Sequence, residues 1–291
     1  MNLIYKKYQS IKNVLLTYGL KGLWYYLIKS MRLISERKIQ LIYNKHNIPE
    51  LQKIRLNLNN KIFKLAKNKI FFGPYKNTKI INDIKQTYNI YIIQQILGTY
   101  EINVQEYAIS LQKKYKLKNI VSFGSGNGFH PLGLIKNSYF KKAICFEKNR
   151  LFQKILIKNF KINNILGKLS CFSGASFKKV FDLLDDNELK KTLFIIDVEG
   201  DEYKLLNNKI LNKIKNSCLI IENHDFKIKN KNKVKVIKKL LNKTFNVKII
   251  NSKFPKIEDY LYKINLKQDE LLLSLLETRK KMNWFVCKPK N

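Results

Sequence analysis

From residue 119 onward the chain alternates short apolar runs with helical segments, and this rhythm constrains the fold more than any other feature. Residues 120–123, 143–146, 169–172, 193–196, 218–221, 247–250 and 284–287 read as strands. Helical patterns fill 130–137, 149–163, 176–190, 201–214, 231–242 and 267–280. Strands that are apolar at nearly every position need cover on both faces, which helices on either side of a mostly parallel sheet provide. The expected fold is therefore α/β, a Rossmann-like sheet with flanking helices.

The loop after the first strand is Gly124-Ser125-Gly126-Asn127-Gly128. Glycine permits positive φ and close approach of backbone to a ligand. The helix that follows offers unpaired N–H groups, and ligands of open α/β sheets lie beyond the carboxyl ends of the strands. Glu147 ends the second strand, where a carboxylate can accept hydrogen bonds from both hydroxyls of an adenosine ribose. NAD proteins share that device, so this pair alone does not choose the cofactor. The fourth strand ends in Asp197-Val198-Glu199-Gly200-Asp201-Glu202-Tyr203 and the fifth in Glu222-Asn223-His224-Asp225. Polar groups from four strands thus converge on one sheet edge. Asp201 and Glu202 are expected to cap the helix that follows.

The segments VSFGSGNGFHPL, ICFEKN, TLFIIDVEGDEYKLL and CLIIENHDF, in this order and spacing, resemble the FkbM-type methyltransferase family. Tyr100-Glu101 and the terminal Glu277, Arg279 and Asn283-Trp284 are also similar to it, and the resemblance covers roughly 98–290. It implies a seven-stranded class I methyltransferase fold, S-adenosylmethionine (SAM) as cofactor, and O-methylation of a sugar or another hydroxyl compound. Gly124, Ser125, Gly126 and Gly128 then match the SAM loop, Glu147 the ribose acid, Asp197 the residue beside the methionine end, and His224 the histidine after the fifth strand. One position departs from the family, which commonly has an acid two residues before the first glycine. Here that residue is Ser122, which can hydrogen-bond but supplies no charge; another acid such as Glu101 can compensate. His130, at the start of the next helix, is also unusual, and is read as an ordinary first-turn residue or a contact to cofactor or substrate.

A hydroxyl nucleophile benefits from a base. His224 is the candidate by residue type and position, with Asp197 and Glu199 as alternatives. Asp197 and Glu222 offer oxygen for a metal, but no spacing demands one, and no metal is assigned.

Residues 1–97 lie outside the resemblance and read as a helical, basic N-terminal extension before a methyltransferase domain over 98–291. In its first 46 residues, Leu16, Leu20, Leu23, Trp24, Leu27, Ile28, Met31 and Ile34 form a stripe flanked by Lys and Arg. Such a helix either packs on the protein's own core or lies on an anionic membrane. Apolar stretches near the N-terminus fall short of the ~20 residues that span a bilayer. No apolar core and cleavage site of a secretion signal is seen. The four cysteines have no metal-ligand spacing and read as buried free thiols, which suits a cytoplasmic protein.

The formal net charge is +36. A field of that size favours an anionic partner: a membrane surface, a phosphorylated glycan lipid or nucleic acid. An RNA methyltransferase is the second reading, suggested by charge alone. A SAM-fold protein without catalysis is the third, suggested by Ser122.

Overall fold

The computed structural model describes residues 49–82, 92–225, 231–252, 266–267, 270 and 282–290. The expected helix over 1–46 lies outside the described residues, as does that over 267–280 except for Lys267 and Glu270. So does any membrane contact of the N-terminal stripe.

The described helices are α1 (Pro49–Leu65), α2 (Ile92–Leu97), α3 (Ile102–Tyr115), α4 (Phe129–Lys136), α5 (Arg150–Ile162), α6 (Phe177–Leu183), α7 (Asp186–Lys190), α8 (Glu202–Leu205), α9 (Asn208–Lys213) and α10 (Lys231–Thr244). The strands are β1 (Asn119–Phe123), β2 (Lys142–Phe146), β3 (Leu169–Phe172), β4 (Thr192–Ile196), β5 (Cys218–Glu222), β6 (Phe245–Asn251) and β7 (Asn283–Pro289). Each expected strand is present, and β6 and β7 run longer than their apolar centres suggested.

The strands form one seven-stranded sheet in the order β3-β2-β1-β4-β5-β7-β6. Pairing is parallel from β3 through β5, and β7 runs antiparallel to both β5 and β6. This is the class I methyltransferase sheet that was expected. The order reverses between β1 and β4, so the carboxyl ends of these two strands flank the crevice where such sheets bind ligands.

Successive residues of the central strands face opposite sides of the sheet, with the period of two of a strand. Ile120, Ala143, Cys145, Leu193, Ile195, Cys218 and Ile220 face one core, which α1 to α5 cover. Val121, Ile144, Phe194, Ile196, Leu219 and Ile221 face the other, covered by α6, α7, α9 and α10. β1, β4 and β5 are buried along their whole length, whereas edge strand β6 is buried only at Phe245 and Ile250.

Two expected helices are each broken into a pair. Over 176–190 the break falls at Asp185, whose carboxylate accepts the N–H groups of Asn187 and Glu188 and starts α7. Over 201–214 it falls at Asn207, which accepts the N–H of Ile210 and starts α9. Side-chain capping offers the backbone new helix starts that a hydrophobic pattern does not register.

By contacts, Leu56–Asn291 form one compact unit. Leu58, Ile62, Phe63, Ile70, Tyr75, Ile80, Ile93 and Ile96 belong to the same core as β1. Two asparagines of α5 fasten this segment: Asn159 accepts the N–H of Ile81, and Asn163 both accepts from and donates to the backbone of Lys79. Residues 56–97 look like an extension in sequence because their apolar side chains are scattered among lysines and asparagines. Tertiary packing collects them.

All four cysteines are free, three of them buried and Cys171 half-buried. Burial pushes the thiols of Cys145 and Cys218 up to about 12, which keeps them protonated and inert. Among the described residues no helix is long and apolar enough to cross a membrane.

Candidate active site

The glycine loop is tied to its neighbours by backbone. Gly124 and Ser125 both donate to the carbonyl of Phe146 at the end of β2, and Asp197 donates to the carbonyl of Phe123. Gly124, Gly126 and Gly128 all have positive φ, but for different reasons. A Cβ on Gly124 would lie 1.7 Å from the carbonyl oxygen of Asp197, and one on Gly128 2.8 Å from Leu156. A Cβ on Gly126 would meet nothing within 4 Å. The outer two glycines therefore admit the protein itself, and the middle one leaves open space.

Glu147 is buried, and its two carboxylate oxygens accept the N–H groups of Gly126 and Asn149, each at 2.8 Å. It therefore shapes the loop, and a ribose would have to share these oxygens. Ser125 turns inward, its hydroxyl donating to the carbonyl of Ser122 at 2.9 Å.

Beside the loop lies a cavity of about 180 Å³. Its walls include Ser122, Gly124, Gly126, Glu101, His130, Asp197 and Glu199. Trp284 of β7 and Gln95 of α2 also reach it. It is smaller than the ~300–1,000 Å³ of a whole-ligand pocket. Of the expected residues, the structure brings Gly124, Ser125, Gly126, Asp197 and Glu199 to this cavity. Glu147, Gly128 and His224 are not on its walls.

His224 is 2% exposed and stands behind Asp197 and Glu199. Its Nδ1 lies 2.8 Å from Glu202 Oε1. That oxygen also accepts the N–H groups of Val198 and Gly200. A carboxylate has only acceptors to offer, so Nδ1 carries the proton and Nε2 is turned toward the other acids. Around Nε2 stand Glu199 Oε2 at 3.4 Å, Asp197 Oδ1 at 3.7 Å and Glu222 Oε2 at 3.8 Å. Four carboxylates thus surround one imidazole.

Neither acid expected to cap α8 does so. Asp201 makes no side-chain cap and pairs with Lys204, whereas Glu202 folds back onto the loop before it. The tertiary partner, His224, decided where Glu202 points.

Asp197 divides its surface between protein and cavity. Its side chain is 35% exposed, yet Oδ1 is fully buried and accepts no hydrogen bond. Burial raises its carboxyl above the ordinary value; a hydrogen bond with Glu222 opposes this, the negative charge of Glu101 adds to it, and His224 opposes it. Asp197, Glu202 and His224 each offer a ligand atom, all within 4.8 Å of one another, so this cluster can hold a metal ion.

Glu101 and His130 line the same cavity; Glu101 Oε2 lies 2.8 Å from His130 Nε2, and Tyr75 Oη lies 3.2 Å from His130 Nδ1. Tyr75 is fully buried against Gly133, where any Cβ would strike its ring at 2.2 Å. Sequence reading missed Tyr75. The signal it left was the pairing of a lone helical glycine with an aromatic in the Phe71–Tyr75 turn, which nothing in the sequence brings together.

No protein-family model matches the chain, and no curated protein matches it. Among solved structures, a precorrin-6y C5,15-methyltransferase from Geobacter metallireducens GS-15 is similar at 12% identity, covering 65% of this chain and 89% of that one, with a TM-score of 0.41. The m1A22 tRNA methyltransferase of B. subtilis is similar at 11% identity over 64% of this chain and 65% of that one, TM-score 0.40. A Streptococcus pneumoniae protein solved in complex with S-adenosyl-L-methionine is similar at 14% identity over 63% and 72%, TM-score 0.40. Likenesses of this size say nothing about the site, whose reading rests on its own geometry.

Proposed function

We propose that this chain is a SAM-dependent methyltransferase that modifies a hydroxyl oxygen, on a sugar of a glycan or glycolipid precursor, as the FkbM resemblance implies. The observation that carries this reading is the meeting of the glycine loop after β1 with the Asp197 and Glu199 acids after β4 at one cavity. The open space at Gly126 and the acidic walls fit a ligand that carries positive charge. When bound, SAM supplies an electrophilic methyl group on a cationic sulfur. The chain aligns the partners and excludes water. Gly126 and the start of α4 would hold the nucleotide side, and Glu147 would share its loop-binding oxygens with the ribose.

The hydroxyl proton needs an acceptor at the cavity wall. Asp197 lines that wall, and burial lifts its carboxyl in the direction that suits a general base. His224, first choice by residue type, sits one layer back; it is proposed as the positioning residue that steadies the charge of Asp197 and Glu199. Glu202 fixes its ring. The strongly basic surface would hold the enzyme near a phosphorylated or membrane-borne acceptor.

The test is transfer of labelled methyl from SAM into fractionated cell extract. Label in glycan or glycolipid, lost with Asp197→Asn at saturating SAM, is the expected result. An unchanged rate in that variant would remove Asp197 as base. Label confined to RNA would favour the second reading, which the net charge of +36 motivates.

A further inference from the structure

Glu101 stands where an acidic residue usually caps its own helix, and it does not. It is the N-cap residue of α3, its backbone is left-handed at φ 48°, and it makes no side-chain cap. A left-handed conformation is costly for a residue with a Cβ, so the segment before α3 is held this way by its surroundings. The carboxylate is 8% exposed and lines the cavity beside the glycine loop, together with Ser122.

Two groups fix it there. His130 Nε2 is 2.8 Å from Oε2, and Tyr75 stands behind the imidazole at Nδ1. Burial, with the negative charge of Glu101 adding to it, holds the Tyr75 phenol well above its ordinary value, so it remains a donor. The phenol then donates to Nδ1, and Nε2–H donates to Glu101. This relay leaves the negative charge on the carboxylate at the cavity. Asp197, which lines the same cavity, keeps a buried Oδ1 that accepts no hydrogen bond, and it feels Glu101 as a like charge. Glu101 and Asp197 thus put two carboxylates on the walls of one small cavity, an environment that favours a cationic group.

We propose that Glu101 supplies the charge that Ser122 lacks: it holds the ammonium group at the amino-acid end of the cofactor, and His130 and Tyr75 keep its carboxylate in place. This rests on the SAM-binding reading above. The cavity fits that end of the ligand because Glu147, the nucleoside acid, is not on its walls. A charge-assisted hydrogen bond of this kind is worth more than a neutral one.

Calorimetric titration of the full chain with two probes tests it. S-adenosylhomocysteine carries the amino-acid group; 5′-methylthioadenosine keeps the nucleoside and the thioether but lacks it. Glu101→Gln should weaken the first about ten- to a hundred-fold and change the second less than about two-fold. Adding Ser122→Asp to that variant should recover part of the loss. Unchanged affinity for S-adenosylhomocysteine in Glu101→Gln overturns the proposal. So does a parallel loss of both probes, which would make the Glu101–His130 pair a purely structural tie. Equal binding of both probes by the unaltered chain overturns the ammonium contact while leaving the nucleoside site standing. Binding of neither overturns the SAM reading and this proposal together.

Discussion

Two histidines, His130 on the cavity wall and His224 next to the wall residues Asp197 and Glu199, each have a carboxylate oxygen at 2.8 Å, and they differ in what else surrounds the ring. His130 has one acid and one phenol, and aromatic rings of Tyr75, Tyr100 and Phe129 lie around it. His224 has four acids. The phenol fixes the tautomer of His130 and lets the ring serve a single carboxylate. Among the acids around His224, Asp197 has its carboxyl raised, chiefly by its burial, with Glu222 and His224 opposing and Glu101 and Glu202 adding to it. The first arrangement suits a fixed charge that binds, and the second suits a group that takes up and releases a proton.

Asp197→Asn breaks the proton-handling side most severely. Methyl transfer should fall about 10²- to 10⁴-fold, read in single-turnover assays at saturating SAM. The same variant should melt at higher temperature near neutral pH. The native state binds this proton more tightly than the unfolded chain, so stability falls as pH rises from the ordinary value of 3.8 through the raised native value. The advantage of the variant is full above that window and should vanish below 3.8. A melting gain that persists there would show that desolvation of Asp197 is not its source.

The glycine loop sharpens the contrast next. Gly124→Ala forces a Cβ into the Asp197 carbonyl at 1.7 Å and should cost ~2–4 kcal/mol in denaturant unfolding. Gly126→Ala meets only the strain of its φ of 54° and should cost ~1–2 kcal/mol. Equal losses would mean that the ligand space at Gly126 is not there.

The histidines can then be exchanged for asparagine one at a time. His224→Asn should lower the rate about ten-fold or more with S-adenosylhomocysteine affinity held within about two-fold. His130→Asn should do the reverse, weakening that ligand several-fold and sparing the rate at saturation. The smallest expected effect is that of chelation. With Asp197 as base, transfer should be unchanged by EDTA; a loss restored by a divalent ion would recast Asp197, Glu202 and His224 as metal ligands.

Local pattern alone determined the sheet. Four apolar residues between helical stretches cannot be satisfied except between two layers of helices, so the seven strands and their mostly parallel pairing were legible. The glycine loop and the acids at the ends of β2, β4 and β5 were legible for the same reason, since parallel pairing puts the carboxyl ends of β1 to β5 at one edge. What each side chain does there was not. Glu202 had the sequence of a helix cap and became the partner of His224; Glu147 had the position of a ribose acid and was already engaged by Gly126 and Asn149. His224 had the chemistry of a base and was placed behind the wall. Residues 56–97 read as part of a helical extension outside the methyltransferase resemblance, yet they bring Tyr75 and Gln95 to the site region. Periodicity records which face of an element is buried. It does not record which buried polar group will meet which, because that depends on distances between segments far apart in the chain, and those are set only when the two cores close around the sheet.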